Sequence, residues 1–174
     1  ERRSVRKYKD EKVDRETMRE IVDIARWAPS WVNYQIARYT LVDDEEIIKE
    51  IAEHGVNGFV YNIDTLRTAK GVAVLSFVKG KSGTYDKEYI TSKGNSWEVF
   101  DAGIACQTFC LAAHAKGVGT CIMGVIDDKS IAKIVNLPED ETVAALIVYG
   151  YEDGEHAAPN KRKDVDEIMR FVDR

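Results

Sequence analysis

Helical and strand periodicities alternate along this 174-residue chain, and the alternation predicts a single domain, 1–174, of mixed α and β structure. Two short runs rich in apolar and β-branched residues, 72–78 and 143–149, supply its buried strands. A composition of 44% hydrophobic and 32% charged residues is ordinary for a globular protein. A chain of this length buries about two-thirds of its unfolded surface without help from disulfides or metals. Taken alone, the alternation favours a parallel α/β sheet.

Each element has its own signal. A helix is predicted over 14–28, where Met18, Ile21, Val22, Ala25 and Ala28 recur on one face. Asp14 serves as its N-cap and Pro29 stops it. Alternation over 38–42 predicts a strand, and Ile47, Ile48 and Ile51 give a helix over 44–54. After the strand 72–78, the stretch 79–95 is rich in Gly, Ser and Lys and lacks clear periodicity, which marks it as a loop that could cover a binding site. The stretch 96–116 is helical, and between Ala102 and Ala115 only Gln107, Thr108 and His114 are polar. A helix apolar nearly all round needs cover on nearly every side, so a second subunit is expected to supply part of it. Gly117 closes that helix. There follow a strand at 118–123, a capped helix at 127–136, the strand 143–149 and a final amphipathic helix at 164–172.

Charge and composition narrow the functional classes. The net charge is −5, yet Arg2, Arg3, Arg6, Lys7 and Lys9 gather at one end against Glu1 alone. An acidic body with one basic end suits a small anion rather than a nucleic acid, which needs cations spread over a face. The longest apolar run falls far short of the ~18 residues of a membrane helix, and no secretory signal pattern is present. Three cysteines without two-residue spacing argue against a disulfide framework or a zinc site and fit the cytoplasm. His54, His114 and His156 stand apart from one another and from carboxylate or thiol partners, so no metal is expected.

Four constellations could carry chemistry. Arg2-Arg3-Ser4-Val5-Arg6 packs three guanidinium groups and a hydroxyl into five residues; it is either a solvated basic end or a phosphate site, since guanidinium forks match phosphate oxygens in pairs. Pro29-Ser30-Trp31-Val32-Asn33-Tyr34-Gln35 follows a helix stop with a hydroxyl and two carboxamides. It is either a polar connection or a set of hydrogen-bonding groups for a planar heterocycle. Lys161-Arg162-Lys163 could converge with the first cluster on one anion. Gly117 to Gly124 permits close approach of backbone to a ligand, but it lacks the dinucleotide fingerprint and the P-loop lysine. Cys106 and Cys110 share an apolar helical face and read as buried, inert thiols. Trp31, Tyr61 and Trp97 could stack on a ring or pack in the core.

Together these motifs resemble the nitroreductase family of FMN-dependent oxidoreductases. The likeness rests on Arg2-Arg3-Ser4-Val5-Arg6, Pro29 to Gln35, Asp101-Ala102-Gly103 opening a long apolar helix, Gly117 to Thr120, Gly150-Tyr151 and the basic turn Lys161 to Lys163. Their order and spacing run across almost the whole chain.

The resemblance implies an α+β fold with a mostly antiparallel central sheet flanked by helices, in a homodimer with FMN at the interface. Arg2, Arg3 and Ser4 would contact FMN at its phosphate and ribityl end, and Arg6 would lie near the pyrimidine edge of the ring. Pro29, Ser30, Asn33 and Gln35 would come from the partner subunit. Asn62 would hydrogen-bond the ring, the backbone of Met123 and Gly124 would approach N5 and O4, and Lys161, Arg162 and Lys163 would complete the phosphate site. Thr65 stands where some larger relatives place a basic residue, and Ile36-Ala37-Arg38-Tyr39 replaces a common Pro-Trp-x-Phe. The implied activity passes hydride from NAD(P)H through the flavin to a nitroaromatic, quinone or similar small acceptor by a ping-pong mechanism, with no side chain as essential acid, base or nucleophile. Reductive dehalogenation on the same fold and FMN storage without turnover are the alternatives. A nucleic-acid module using the basic arm is disfavoured by the acidic remainder.

Overall fold

A computed structural model describes residues 2–155 and 158–172; His156 therefore lies outside the described residues. Four strands, β1 (Ala37–Val42), β2 (Gly71–Val78), β6 (Glu141–Gly150) and β5 (Gly119–Met123), form one sheet in the order β1-β2-β6-β5. All three pairings are antiparallel, with Val72 opposite Val42 and Val148, and Cys121 also opposite Val148. This overturns the parallel sheet that alternation alone favours and agrees with the antiparallel one that the resemblance implies. The physical reason is that β2 and β6 are apolar on both faces because helices cover both, whatever their direction.

The two faces can be read from the period of two along each strand. Val72, Val74, Leu146 and Val148 point into a core shared with α2 (Glu45–His54), α3 (Val60–Thr68) and α5 (Asp128–Ile134). Ala73, Leu75, Ile147 and Tyr149 point the other way, onto α1 (Arg15–Ala25) and α4 (Ser96–Ala115). Asp14 caps α1 by accepting from Thr17 N at 2.8 Å, and Asp127 caps α5 by accepting from Lys129 N and Ser130 N. Each cap satisfies backbone donors that a helix start leaves open.

Several elements differ from the sequence reading. Helix α1 ends at Ala25, three residues before the predicted last residue, Ala28. The helix α3 was not signalled: its N-cap Phe59 offers no side-chain acceptor, and Asn62 and Thr65 share its buried face with Leu66. The stretch 79–95 carries a short hairpin, β3 (Thr84–Tyr85) with β4 (Glu88–Tyr89), turned by Asp86 and Lys87 at φ 48° and 67°. Two left-handed residues are what a two-residue hairpin turn demands. The last helix is α6 (Val165–Ile168), four residues where nine were predicted; Met169 is already extended.

Helix α4 is buried along Ala102, Ala105, Cys106, Phe109, Cys110 and Ala113, but not all round. Val99, Phe100 and Leu111 stand 61%, 57% and 51% exposed on the opposite side, where Val99 and Phe100 line a shallow groove with Gly103, Ile104 and Gln107. The sequence reading expects a second subunit to cover part of this helix, without saying which side. Among the described residues no helix is long and apolar enough to cross a membrane.

Candidate functional site

The basic arm is held against the sheet by two close approaches. Val5 N–H donates to Thr120 O at 2.9 Å, and Ser4 pairs with Thr120 as a parallel bridge along β5. Val5 lies where a side chain on Gly119 would stand, 2.7 Å from the Cβ that residue lacks; Tyr8 lies 2.9 Å from the missing Cβ of Gly150. Gly119 and Gly150 thus clear a track for the arm, whereas Gly117 stands in open space at φ 74°, a conformation glycine adopts freely. Tyr8 OH donates to Val5 O at 2.7 Å, and burial pushes its pKa up. Further along, Lys9 N–H donates to Tyr151 O, and Lys7 pairs with Asp153 at 2.8 Å.

This track brings Arg6 to a groove of about 390 Å³ lined by Phe59, Tyr61, Asn62 and Thr65 from the start of α3 and by Cys121 to Val125 from the end of β5. Asn62 Nδ2 donates to Val125 O at 3.0 Å, Asn57 Nδ2 donates to Ile126 O at 2.9 Å, and Asp127 N–H donates to Gly55 O at 2.8 Å. These three bonds stitch the segment after β5 to the α2–α3 region and fix the backbone at Gly124. A Cβ on Gly124 would meet no atom within 4 Å, so its backbone faces open space in the groove. Of the motif residues, Arg6, Asn62, Met123 and Gly124 are brought together here.

Arg2 and Arg3 lie further back along the arm, where Arg2 Nη1 donates to Arg3 O and Arg3 Nη2 donates to Ala158 O at 3.3 Å. The second contact runs the chain toward Lys161, Arg162 and Lys163 past the basic arm. All three triplet residues are exposed, and among the described residues Arg162 donates to Asn160 O alone. Among the described residues no carboxylate is ion-paired with Arg2, Arg3 or Arg6. Guanidinium groups bonded only to backbone carbonyls keep their charge available for an anion.

Pro29, Ser30 and Gln35 line a different groove of about 540 Å³, together with Tyr34, Arg38 and Asp101. Ser30 Oγ accepts from Gln35 N at 2.8 Å, and Arg38 Nη1 donates to Gln35 O at 2.7 Å. Val32, Asn33 and Gln35 hold φ at 46°, 55° and 49°, a left-handed run that is costly for a β-branched residue. Asn33 is exposed at its apex. The two grooves share no lining residue, so one chain keeps these motifs apart.

A larger groove, about 1040 Å³ between α1 and β1, holds none of the motif residues. Six of its charges already face one another: Arg15 with Asp43 at 2.8 Å, Arg26 with Asp23 at 2.7 Å, and Lys116 with Glu20. Cys106, Cys110 and Cys121 are buried free thiols; the hydrogen bond between Cys106 and Cys110, with burial, pushes the Cys106 pKa up. Trp31 packs on Trp97, ring centres 5.0 Å apart, whereas Tyr61 stands 70% exposed at the first groove. Phe59 lines the site without having been read from the sequence, and Asp101 was read only as the opening of the apolar helix. Phe59 had no signal without α3, while Asp101 had one, a carboxylate set in an apolar helix.

A four-stranded antiparallel sheet between helical layers, edged by a basic arm and an open glycine groove, defines an α+β class. The chain belongs to the nitroreductase family, whose sequence model matches residues 1–151. It is 27% identical over 154 residues to an Archaeoglobus fulgidus protein named as an NADH dehydrogenase/NAD(P)H nitroreductase, covering 86% of this chain and 80% of the relative. It is 25% identical over 159 residues to the iodotyrosine deiodinase of Thermotoga neapolitana, covering 87% and 85%. Among solved structures, an FMN-dependent nitroreductase from Clostridium difficile superposes with a TM-score of 0.78 at 28% identity, covering 98% of this chain and 95% of the other.

Proposed function

We propose that this protein is an FMN-dependent NAD(P)H oxidoreductase that works as a homodimer and delivers electrons to an electron-poor acceptor such as a nitroaromatic or quinone in two successive half-reactions. Family membership supports an oxidoreductase. FMN and NAD(P)H are supported by what the C. difficile and A. fulgidus relatives are named for. One observation carries the site: Arg6, Asn62, Met123 and Gly124 meet in one groove, while Pro29, Ser30 and Gln35 line another. Two copies joined through the exposed face of α4 can bring the second set to the first.

The residues present fit FMN. Gly124 leaves open space for a ring to approach the backbone, and Asn62 keeps its carbonyl oxygen free of hydrogen bonds among the described residues. Arg6 adds a positive charge at the groove, suited to the ring edge that gains negative charge on reduction. Arg2, Arg3 and Ser4, with Lys161, Arg162 and Lys163, would hold the phosphate end, and Asn33 and Gln35 would reach the ring from the partner. When bound, FMN supplies the two-electron chemistry at N5. The protein binds, orients and tunes, with no side chain assigned as acid, base or nucleophile. Three unpaired cysteines support a cytoplasmic setting.

The test is the absorption spectrum and solution size of the purified protein, followed by anaerobic titration with NADH and NADPH. Flavin bands in a dimer that bleach with either donor are expected. A colourless protein that takes up no FMN sinks the reading. Similarity to a deiodinase favours one second reading, reductive dehalogenation, which predicts slow turnover of nitroaromatics and fast turnover of one halogenated substrate.

A further inference from the structure

Two carboxylates sit in the first turns of α4 at 4% exposure, Glu98 and Asp101. Neither is ion-paired among the described residues, so hydrogen bonds must offset their burial. Those bonds all lead to two segments. Asp101 Oδ2 accepts from Trp31 N at 2.9 Å and from Ser82 Oγ at 2.5 Å. Glu98 Oε1 accepts from Gly80 N at 2.5 Å and from Tyr89 OH at 3.3 Å. Trp31 opens the left-handed turn that Ser30 and Gln35 close; fully buried Ser82 leads into the β3–β4 hairpin. A second link runs directly between the segments, where Trp31 Nε1 donates to Thr84 O at 3.1 Å.

We propose that Asp101 is a positioning residue that joins the 80–90 hairpin segment to the Ser30–Gln35 turn, so that the two move as one unit and the hairpin sets how firmly the turn grips FMN. The proposal rests on the assignment of that turn to FMN binding. Its physical basis is the backbone strain at Val32, Asn33 and Gln35, which persists only where surrounding bonds over-determine the conformation. Asp101 holds the entry to that turn at Trp31 N, and its single oxygen Oδ2 serves both segments at once. The stretch 79–95 is therefore a strap fastened to α4 rather than a loose cover.

The test uses the full-length dimer in three variants: S82A, which cuts only the hairpin arm of the fork, D101L, which removes both arms, and D101N, which keeps one acceptor oxygen. Amide hydrogen exchange over 30–35 and 80–90 is measured with and without FMN, and FMN release is followed by its fluorescence. S82A is expected to speed exchange roughly tenfold or more in the hairpin and to carry the turn with it. FMN release should rise about fivefold or more, although Ser82 lines neither groove. D101L should do more, and D101N should restore most of the hold. If S82A loosens the hairpin while exchange at 30–35 and FMN release stay at the parent values, the coupling is overturned; unchanged hairpin exchange overturns it equally. Should the parent protein bind no FMN, the flavin assignment fails by itself, and the exchange measurements still decide whether the two segments are joined.

Discussion

Replacing Gly119 with alanine would push the basic arm off its track. The new Cβ would fall 2.7 Å from Val5 Cγ2, 3.0 Å from its Cβ and 3.2 Å from its Cγ1. Ordinary carbon contacts begin near 3.5 Å, so Val5 must retreat by about 0.8 Å. Val5 is buried, and its N–H bonds Thr120 O at 2.9 Å. A retreat of that size stretches the bond to about 3.7 Å, beyond hydrogen-bonding range. Overpacking costs about 1–3 kcal/mol and the lost bond about 1 kcal/mol, so the variant should be about 2–4 kcal/mol less stable. Ser4 and Arg6 flank Val5 and move with it. Under the proposed function FMN affinity should fall about tenfold, the worth of one charge-assisted bond. Urea unfolding monitored by circular dichroism gives the first quantity, and fluorescence titration with FMN gives the second. A variant as stable as its parent would refute the packing argument. Lower stability with unchanged FMN affinity would refute the step from arm to site.

Arg6→Gln should weaken FMN binding about tenfold and lower the flavin midpoint potential, read by dye-coupled reduction; an unchanged potential would remove Arg6 from the ring edge. Gly71→Ala places a Cβ 2.1 Å and 2.2 Å from the ring of buried Tyr149, and should cost about 3 kcal/mol or more in thermal unfolding because neither strand nor ring has room to yield. Burial pushes the Tyr149 pKa up to about 12 from an ordinary 10. Folding favours its neutral phenol, so this contribution is intact below pH 10 and lost as pH rises toward 12. The share of tyrosinate absorbance that Tyr149→Phe removes should then appear together with unfolding rather than before it. Phe100→Glu, in the exposed stripe of α4, should convert dimer to monomer in light scattering and release FMN; an unaltered mass would place the dimer contact elsewhere.

Much of the fold was legible because it follows from local chemistry. Asp14, Asp44 and Asp127 each cap the helix predicted after them, and the apolar runs around Val74 and Ile147 are the two central strands. Strand direction was not legible from pattern, because burial on both faces erases the alternation that marks an antiparallel sheet. The helix α3 escaped because Asn62 and Thr65 occupy its inner face, where they serve the groove rather than the core. The hairpin escaped because Asp86-Lys87 lacks the glycine that usually advertises its turn. The residues around Arg6 and Gly124 were legible as motifs; their meeting with Asn62 depends on long-range bonds such as that from Asn62 to Val125. The separate placing of the Ser30–Gln35 turn was not legible from its own residues; only the family resemblance implied it, by assigning that turn to a partner subunit.

The arm along β5 also bears on solubility. A terminal strand presents unpaired backbone groups to any other strand that passes, which is how sheets recruit neighbours and grow into aggregates. Here the last strand of the sheet is shielded near its beginning by Ser4 and Val5, on a segment dense in like charge. Residues proposed to hold a phosphate therefore also keep one sheet from adding to another. Detaching the arm would uncover a sticky border, so loss of ligand binding and loss of colloidal stability should travel together in variants of this segment.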